Sequence, residues 1–228
     1  MEIRVEENPA EVVSGMLVDA AKAGGHIVLT GGSTPKLAYE MASRADVNWN
    51  DATIWFSDER CVPPESGLSN YRMANEALLG RLNKGVRPSV MRMEGELGPE
   101  AGSASYEALV REHLGGEPRW DLLLLGVGPD AHCASLFPGK PEVEERRRLV
   151  TGVELAGMEP QVPRISLTLP ALNSARRTVF LVTGADKAQA VARAFGDPTD
   201  PSSPAAHVRP GAGEFLVVLD QAAAGELV

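Results

Sequence analysis

An aspartate and a histidine stand two residues apart just after the most apolar segment of the chain. Leu122 to Leu125 is a run of four leucines, and Asp130 and His132 follow it across Gly126 and Gly128. A continuous apolar run predicts a strand covered on both faces. In open parallel sheets ligands bind beyond the carboxyl ends of such strands. A carboxylate beside an imidazole can orient the ring and raise its basicity, so the pair predicts a general base, with a structural histidine as the alternative.

A glycine-rich turn earlier in the chain is suited to an anion. The apolar segment 26–30 runs into Gly31-Gly32-Ser33-Thr34-Pro35, after which helical spacing resumes. We expect Ser33 or Thr34 to cap this helix and Pro35 to take its first position. The two glycines let a ligand approach the backbone, so residues 31–34 are predicted to bind an anion at a helix N-terminus. The turn lacks the Lys-Ser/Thr ending of a P-loop, and the alternative is a tight strand-to-helix connection.

Charged residues follow the next predicted strand. Asp58 and Glu59 stand at its end, where they could act as an acid and a base or pair with Arg60. Asp58 and Arg60 are predicted to contribute to substrate binding. Arg72 falls in the first turn of a helix that Ser69 or Asn70 could cap. A cation in the first turn of a helix is unfavourable beside the helix dipole. This placement suggests a bound anion, and the alternative is an isolated surface arginine.

Three other chemistries receive little support. The segment GVGPDA matches a dinucleotide fingerprint, but Pro129 and Pro138 interrupt the helix that should follow it. Cys133 could be a thiol nucleophile, but as a neighbour of His132 it is expected to point elsewhere, as a small buried residue. Cysteine and histidine spacings typical of zinc sites are absent from the sequence, so no metal is predicted.

The elements that must position these residues alternate between strands and helices. This order predicts one α/β domain over residues 1–228, with a mostly parallel, Rossmann-like sheet covered by helices on both faces. Right-handed crossovers would gather the loops at 31–35, 57–60, 126–132 and 183–187 along one edge of the sheet. The predicted strands are 26–30, 52–57, 122–127, 164–172, 178–184 and 214–220, and the predicted helices are 9–23, 36–44, 70–82, 104–114 and 185–195, with a helix-like run at 142–149 and a polar loop at 58–70.

Composition limits the partners. The chain has 228 residues and a net charge of −9, so a nucleic-acid partner has no overall electrostatic support and an anionic ligand needs a local basic cluster. No apolar run approaches the roughly 20 residues that span a bilayer. Two cysteines and no signal-like segment predict a cytoplasmic protein. The sequence leaves open whether it is a monomer or a small homo-oligomer.

Taken together, six segments resemble the 6-phosphogluconolactonase family in that family's order. The resemblance implies a fold like that of the glucosamine-6-phosphate deaminase and ribose-5-phosphate isomerase superfamily. It also implies hydrolysis of 6-phosphogluconolactone in the oxidative pentose phosphate pathway, without a metal or organic cofactor. His132 would be the base, oriented by Asp130, while Arg72, Lys187 and Arg164 would hold the phosphate. The segments are LTGGSTP (29–35), WFSDER (55–60), SNYRMANEALL (69–79), LLLLGVGPDAHCASLFPG (122–139), PRISLTLPALNSA (163–175) and VTGADKAQAV (182–191).

The chain departs from the family's usual pattern at two positions. Ala131 replaces a glycine and Cys133 replaces a hydroxyl residue. If the glycine normally has positive φ, Ala131 is strained by roughly 1 kcal/mol or more. The deaminase branch is the nearest rival, but it places a glutamate where this chain has Phe137. A sugar-phosphate sensor without turnover is a further alternative, and the two replaced residues are its only motivation.

Overall fold

The computed structural model describes residues 1–227 and contains two sheets. The larger sheet has seven strands, all parallel, in the order β1-β10-β9-β6-β2-β3-β5, and the smaller is antiparallel, in the order β4-β8-β7. This is the mostly parallel α/β fold predicted from the sequence. The strands are β1 (Glu2–Val5), β2 (His26–Leu29), β3 (Thr53–Phe56), β4 (Asp58–Arg60), β5 (Ser89–Val90), β6 (Leu122–Leu125), β7 (Val150–Val153), β8 (Arg164–Leu167), β9 (Arg177–Val182) and β10 (Glu214–Leu219).

Helices connect the parallel strands and pack against the sheet. Each predicted helix has a counterpart, apart from the run at 142–149, where only Pro141–Glu144 forms a short 3₁₀ turn before β7. No helix within residues 1–227 is long and apolar enough to cross a membrane. The α-helices are α1 (Pro9–Lys22), α2 (Ser33–Ala42), α3 (Asn70–Ala77), α4 (Pro99–Leu114), α5 (Leu169–Leu172) and α6 (Ala188–Phe195), and further 3₁₀ turns lie at 79–81, 84–86, 95–97, 185–187 and 204–207.

The centre of the large sheet is its most buried part. All four residues of β6 are buried, as the leucine run predicted. Trp55 in β3 lies against Trp120 just before β6, with ring centroids 5.5 Å apart, and against Tyr106 of α4 at 6.0 Å. This packing anchors the start of β6, and the loop with Asp130 and His132 extends from the opposite, carboxyl end of that strand.

The small sheet corrects two sequence predictions. Residues 58–60 are the strand β4 rather than part of a polar loop, and β8 ends at Leu167, where 164–172 was predicted to be one strand. The antiparallel register sets Arg60 opposite Arg164 and Asp58 opposite Ser166. The small sheet thereby carries charged residues to the carboxyl edge of the large one. The strands β1, β5 and β7 were not predicted.

Candidate active site

The loop after β6 holds His132 in one orientation. The Nδ1 atom of His132 lies 2.6 Å from Oδ1 of Asp130, which also accepts the backbone N–H of His132 at 3.1 Å. Burial acts to raise the pKa of Asp130, but the hydrogen bond and the charge of His132 outweigh it and hold that pKa below its usual range. An ionised Asp130 accepting from Nδ1 leaves Nε2 of the imidazole free to accept a proton.

Gly128 makes room for the histidine ring. Its N–H donates to the carbonyl of His132 at 2.9 Å, and its carbonyl accepts from the N–H of Ala131 at 2.8 Å, which closes a tight turn. A Cβ atom at this position would overlap Nδ1 and Cε1 of His132 and lie 2.8 Å from Oδ1 of Asp130. Any side chain at position 128 would therefore displace the ring from its carboxylate.

Ala131 has a left-handed backbone conformation, of the kind that glycine adopts most readily. Its φ is +67° and its side chain is fully buried. Its carbonyl accepts from the N–H of Ala205 at 3.2 Å and from the hydroxyl of Ser203 at 3.3 Å, so the segment after α6 holds the turn from behind. An alanine in this conformation costs about 1–2 kcal/mol.

Asp58 is held by three side chains. Its carboxylate accepts from the hydroxyl of Ser135 at 2.7 Å, from the hydroxyl of Ser57 at 3.2 Å and from the side-chain amide of Asn70 at 3.3 Å. Ser135 belongs to the histidine loop, so Asp58 ties β4 to that loop. Asp58 is both part of the cleft wall and a structural anchor.

Glu59 has a different role from the acid, base or arginine partner that the sequence suggested. It is buried, and its carboxylate accepts from the N–H groups of Asn70 and Tyr71 at 2.7 and 2.8 Å and from the hydroxyl of Ser69 at 2.9 Å. Burial raises its pKa despite these hydrogen bonds. Ser69 is the N-cap of α3, so Glu59 attaches the start of that helix to β4.

Two arginines face the same cleft without a carboxylate partner. Arg60 and Arg164 are paired across β4 and β8, and neither forms a salt bridge within 4.0 Å among residues 1–227. Arg60 donates to the carbonyl of Leu68 at 2.6 Å, while its Nε is buried with no hydrogen-bond partner. Burial, and next the charge of Arg60, lower the pKa of Arg164. Two positive charges left close together in a partly buried wall favour the binding of an anion.

The cleft collects residues from four predicted loops. Its volume is about 250 Å³, and Lys187, at the N-terminus of α6, completes its basic lining. The sequence-predicted residues that line it are Gly31, Gly32, Asp58, Arg60, His132, Arg164 and Lys187. Asp130 lies behind His132 rather than in the wall.

Three predicted binding residues lie elsewhere. Arg72 donates to Glu76 at 2.7 Å and to the carbonyl of Glu65 at 2.7 Å, so its charge is used on the surface of α3. The hydroxyl of Thr34 forms a hydrogen bond with that of Thr183 at 2.7 Å, and Ser33 is exposed outside the cleft lining. Neither residue caps the helix, because α2 begins at Ser33 with Gly32 as its N-cap, at a φ of +117°.

Sequence reasoning missed several side chains of the cleft, among them Asn70, Met158 and Glu159. Asn70 was considered only as a helix cap, yet it reaches Asp58, and a Cβ at Gly31 would overlap it. Met158 and Glu159 come from the connection before β8. The Asn70 contact could have been suspected from the polar pair Ser69-Asn70 at a helix start, whereas nothing in the pattern of residues 154–162 marks that segment.

The structure also bears on the alternative chemistries. The segment after Gly128 forms turns, with no helix between β6 and Pro141, so the geometry of a dinucleotide fingerprint is lacking there. Cys133 is fully buried, and burial raises the pKa of its thiol, which disfavours a thiolate nucleophile. Residues 1–227 contain no cluster of three or more histidine, cysteine or acidic side chains suited to a metal ion.

Comparisons with known proteins agree on the family. The model of the glucosamine-6-phosphate isomerases/6-phosphogluconolactonase family matches residues 5–217. A 6-phosphogluconolactonase of Streptomyces coelicolor is 37% identical over 99% of this chain and 91% of its own length. The structure of 6-phosphogluconolactonase from Trypanosoma brucei superimposes with a TM-score of 0.87 at 27% identity, covering 100% of this chain and 98% of that one.

A monomeric glucosamine-6-phosphate deaminase shares the fold, with a TM-score of 0.83 at 18% identity over 99% of this chain and 100% of that one. Its identity is too low to indicate more than the fold. The family match covers most of the chain. The chain therefore belongs to the glucosamine-6-phosphate isomerase/6-phosphogluconolactonase family.

Proposed function

We propose that this protein hydrolyses 6-phospho-D-glucono-1,5-lactone to 6-phosphogluconate, the lactonase step of the oxidative pentose phosphate pathway. The proposal takes the whole chain as one α/β domain with a single active site in the cleft. The observation that carries it is the shared cleft: a carboxylate-oriented imidazole opens onto the same space as three cations, Arg60, Arg164 and Lys187. A base and a basic grip for phosphate in one cleft suit a phosphorylated ester.

His132 acts as the general base. Its Nε2 takes a proton from water as the water oxygen attacks the lactone carbonyl carbon, which gives a tetrahedral intermediate. When the bond from that carbon to the ring oxygen breaks, the imidazolium returns the proton to the ring oxygen. Asp130 keeps Nδ1 protonated throughout and stabilises the imidazolium. A δ-lactone is an activated ester, so a base, a grip on the substrate and a donor for the oxyanion suffice.

The phosphate is held by Arg60, Arg164 and Lys187. A dianion between the two arginines offsets the repulsion between their positive charges. The backbone at Gly31 and Gly32 adds N–H groups near the start of α2. Binding the phosphate away from the reacting carbonyl fixes the lactone beside His132, which lowers the entropic part of the barrier. Arg72 is given no part in this grip.

The deaminase alternative is not favoured. The residue five positions after His132 is Phe137, whose ring centroid lies 4.7 Å from that of His132. An apolar ring cannot supply the carboxylate that the deaminase branch has there. The unpaired thiols of Cys61 and Cys133 support a reducing compartment, and we propose that the enzyme works in the cytoplasm.

Lactonase activity is tested by proton release from freshly generated 6-phosphogluconolactone. The wild-type protein is expected to accelerate release well above buffer, and His132→Ala to abolish most of the gain while still binding 6-phosphogluconate in calorimetry. Full activity in His132→Ala would refute the mechanism. Product binding without turnover in the wild type would indicate a sensor instead.

The phosphate grip is tested with a lysine pair. Lys187→Ala is expected to raise KM strongly for the phosphorylated lactone and little for unphosphorylated gluconolactone. Lys36→Ala is the matched control, because Lys36 is an exposed lysine of α2 outside the cleft lining. Equal effects of Lys187→Ala on both substrates would contradict its role.

A further inference from the structure

The first strand of the chain is an edge strand that nothing covers. β1 pairs only with β10, and within residues 1–227 no other segment pairs with its outer side. All four of its residues are exposed, so neither face of the strand lies under a helix. Met1, Ile3 and Val5 are 60%, 37% and 46% exposed and share one face, since side chains alternate along a strand. A free edge with an apolar stripe is a template for another strand.

The peptide groups of odd-numbered residues face outward. The N–H of Glu6 donates to the carbonyl of Leu219 at 2.8 Å, which directs the even-numbered peptide groups toward β10. Because this direction alternates with each residue, the N–H and C=O groups of Met1, Ile3 and Val5 point away from the sheet. An antiparallel partner must bond to these odd-numbered residues, which restricts the possible registers.

Only one register pairs every residue from Met1 to Val5 with a second copy of β1. If a twofold axis passes between the two Ile3 residues, Ile3 pairs with Ile3 of the second copy, Met1 with Val5, and Glu2 with Arg4. Every outward peptide group between Met1 and Val5 then has a partner, the apolar side chains meet on one face, and two Glu2–Arg4 pairs form on the other. A shift by two positions either way instead sets Arg4 opposite Arg4 or Glu2 opposite Glu2.

The charges required are already arranged for this pairing. Within one chain the carboxylate of Glu2 accepts from Nε of Arg4 at 2.7 Å, with both side chains largely exposed. Two such pairs related by a twofold axis make an alternating square of four charges. The opposite edge of the sheet differs, because β5 is only two residues long and follows Pro88. Short edge strands and nearby prolines are common protections against pairing. β1 has four residues, twice the length of β5, and contains no proline.

We propose that two copies of this chain associate through antiparallel pairing of β1 about a twofold axis at Ile3, which joins their sheets into one continuous sheet. A contact of one strand from each copy is at the small end of protein interfaces, so the dimer is weak and reversible. The pairing is independent of the cleft, and it does not rest on the lactonase proposal.

Charge reversal tests the register. Sedimentation velocity of the whole protein over a wide range of concentration is expected to show a shift from 24.2 kDa toward twice that mass. Glu2→Arg and Arg4→Glu each convert two attractive pairs into two repulsive ones, so each is expected to weaken the dimer about tenfold or more. The double variant Glu2→Arg/Arg4→Glu restores both pairs and is expected to dimerise like the wild type.

Mixing the two single variants gives the sharpest result. Each is mainly monomeric alone, but together their β1 strands are complementary, so a heterodimer is expected in a one-to-one mixture. Lys84→Glu changes net charge as Arg4→Glu does, yet Lys84 lies by the opposite edge of the sheet and should leave the dimer unchanged. Circular dichroism and thermal unfolding verify that every variant is folded.

Three results would overturn the proposal. The first is a wild-type protein that stays monomeric at the highest concentration. The second is a dimer that the single reversals leave intact, which would locate the contact elsewhere. The third is folded single variants that fail to associate when mixed, which would exclude the antiparallel register.

Discussion

Replacing Gly128 by alanine isolates the position of the histidine ring from its chemistry. The variant keeps His132, Asp130 and all three cations, but the added Cβ overlaps two ring atoms of His132. Carbon atoms pack at about 3.5–4.0 Å, so the ring must move by roughly 1 Å or more. Such a shift also breaks the 2.6 Å contact between Nδ1 and Asp130.

The expected effect falls on turnover rather than on binding. Misplacement of a catalytic group by about 1 Å costs about 100-fold in rate, equivalent to about 2.7 kcal/mol of activation free energy. We therefore expect kcat for 6-phosphogluconolactone to fall about 100-fold, measured by proton release, while the affinity for 6-phosphogluconate changes little. The ring displacement itself is read from the imidazole signals of His132 in NMR spectra.

Gly126→Ala is the matched control for the ring position. It adds the same methyl group to the same loop, but a Cβ there has no other atom within 4 Å. The imidazole signals of His132 should stay in place in this variant and move in Gly128→Ala. Wild-type kcat in a folded Gly128→Ala protein would refute the view that the position of the His132 ring matters for turnover. Equal shifts of the His132 signals in both variants would show that overlap with the added Cβ does not cause the displacement.

Three further variants test the grip, the strained turn and the support of the catalytic loop. Arg164→Gln should raise KM for the phosphorylated lactone about tenfold or more, whereas Arg72→Gln should leave it nearly unchanged, and the reverse order would restore Arg72 to the site. Ala131→Gly should raise the free energy of unfolding in urea by about 0.5–1 kcal/mol, because the backbone strain that it relieves exceeds the entropy cost of glycine. As a control, Ala192→Gly inside α6 should lower that free energy by about 1 kcal/mol. A decrease in both variants would argue against strain at Ala131. Hydrogen bonds from Ser202, then Arg193, lower the pKa of Asp200 from 3.8 to about 2. The ionised carboxylate therefore stabilises the fold above pH 3.8, and this contribution to the free energy of unfolding is lost as the pH falls toward 2. Asp200→Asn should make the free energy of unfolding fall less steeply across that interval, and an unchanged slope would count against this role of Asp200.

The sequence predicted the parallel sheet because its central strands are defined by local composition. The four leucines of β6 are apolar on both faces, which only a covered strand tolerates. β1, β5 and β7 lack such a signal: β5 is two residues long, and every residue of β1 is exposed. β4 was read as a loop because its residues Asp58, Glu59 and Arg60 are charged. Its strand conformation comes from pairing with β8, more than 100 residues away, which no local pattern contains.

The same limit applies to the two arginines Arg60 and Arg72, which were both predicted to bind substrate. Arg72 drew attention because a cation in the first turn of a helix is unfavourable, but Glu76, one turn later, neutralises it on the surface. Nothing in the sequence near Arg60 marks it in this way, yet its environment is the more unusual one, with a buried Nε and no salt bridge among residues 1–227. It faces Arg164 across the small sheet, and the nearest carboxylates are committed to Ser135, Ser69 and Asn70. Only the fold reveals which cation lacks a partner.

The strained turn at Ala131 is held in place by contacts from α6 and the segment that follows it. Its positive φ means that the turn Gly128 to Ala131 is imposed by its surroundings, because an alanine would not choose this conformation locally. The bonds from Ser203 and Ala205 to its carbonyl, and from Arg193 to the carbonyl of Asp130 at 3.4 Å, come from α6 and the segment that follows it. The segment that begins with Lys187, in the proposed phosphate grip, therefore also fixes the turn that carries His132. These hydrogen bonds oppose the strain at Ala131, which is why the turn keeps its shape without a glycine at this position.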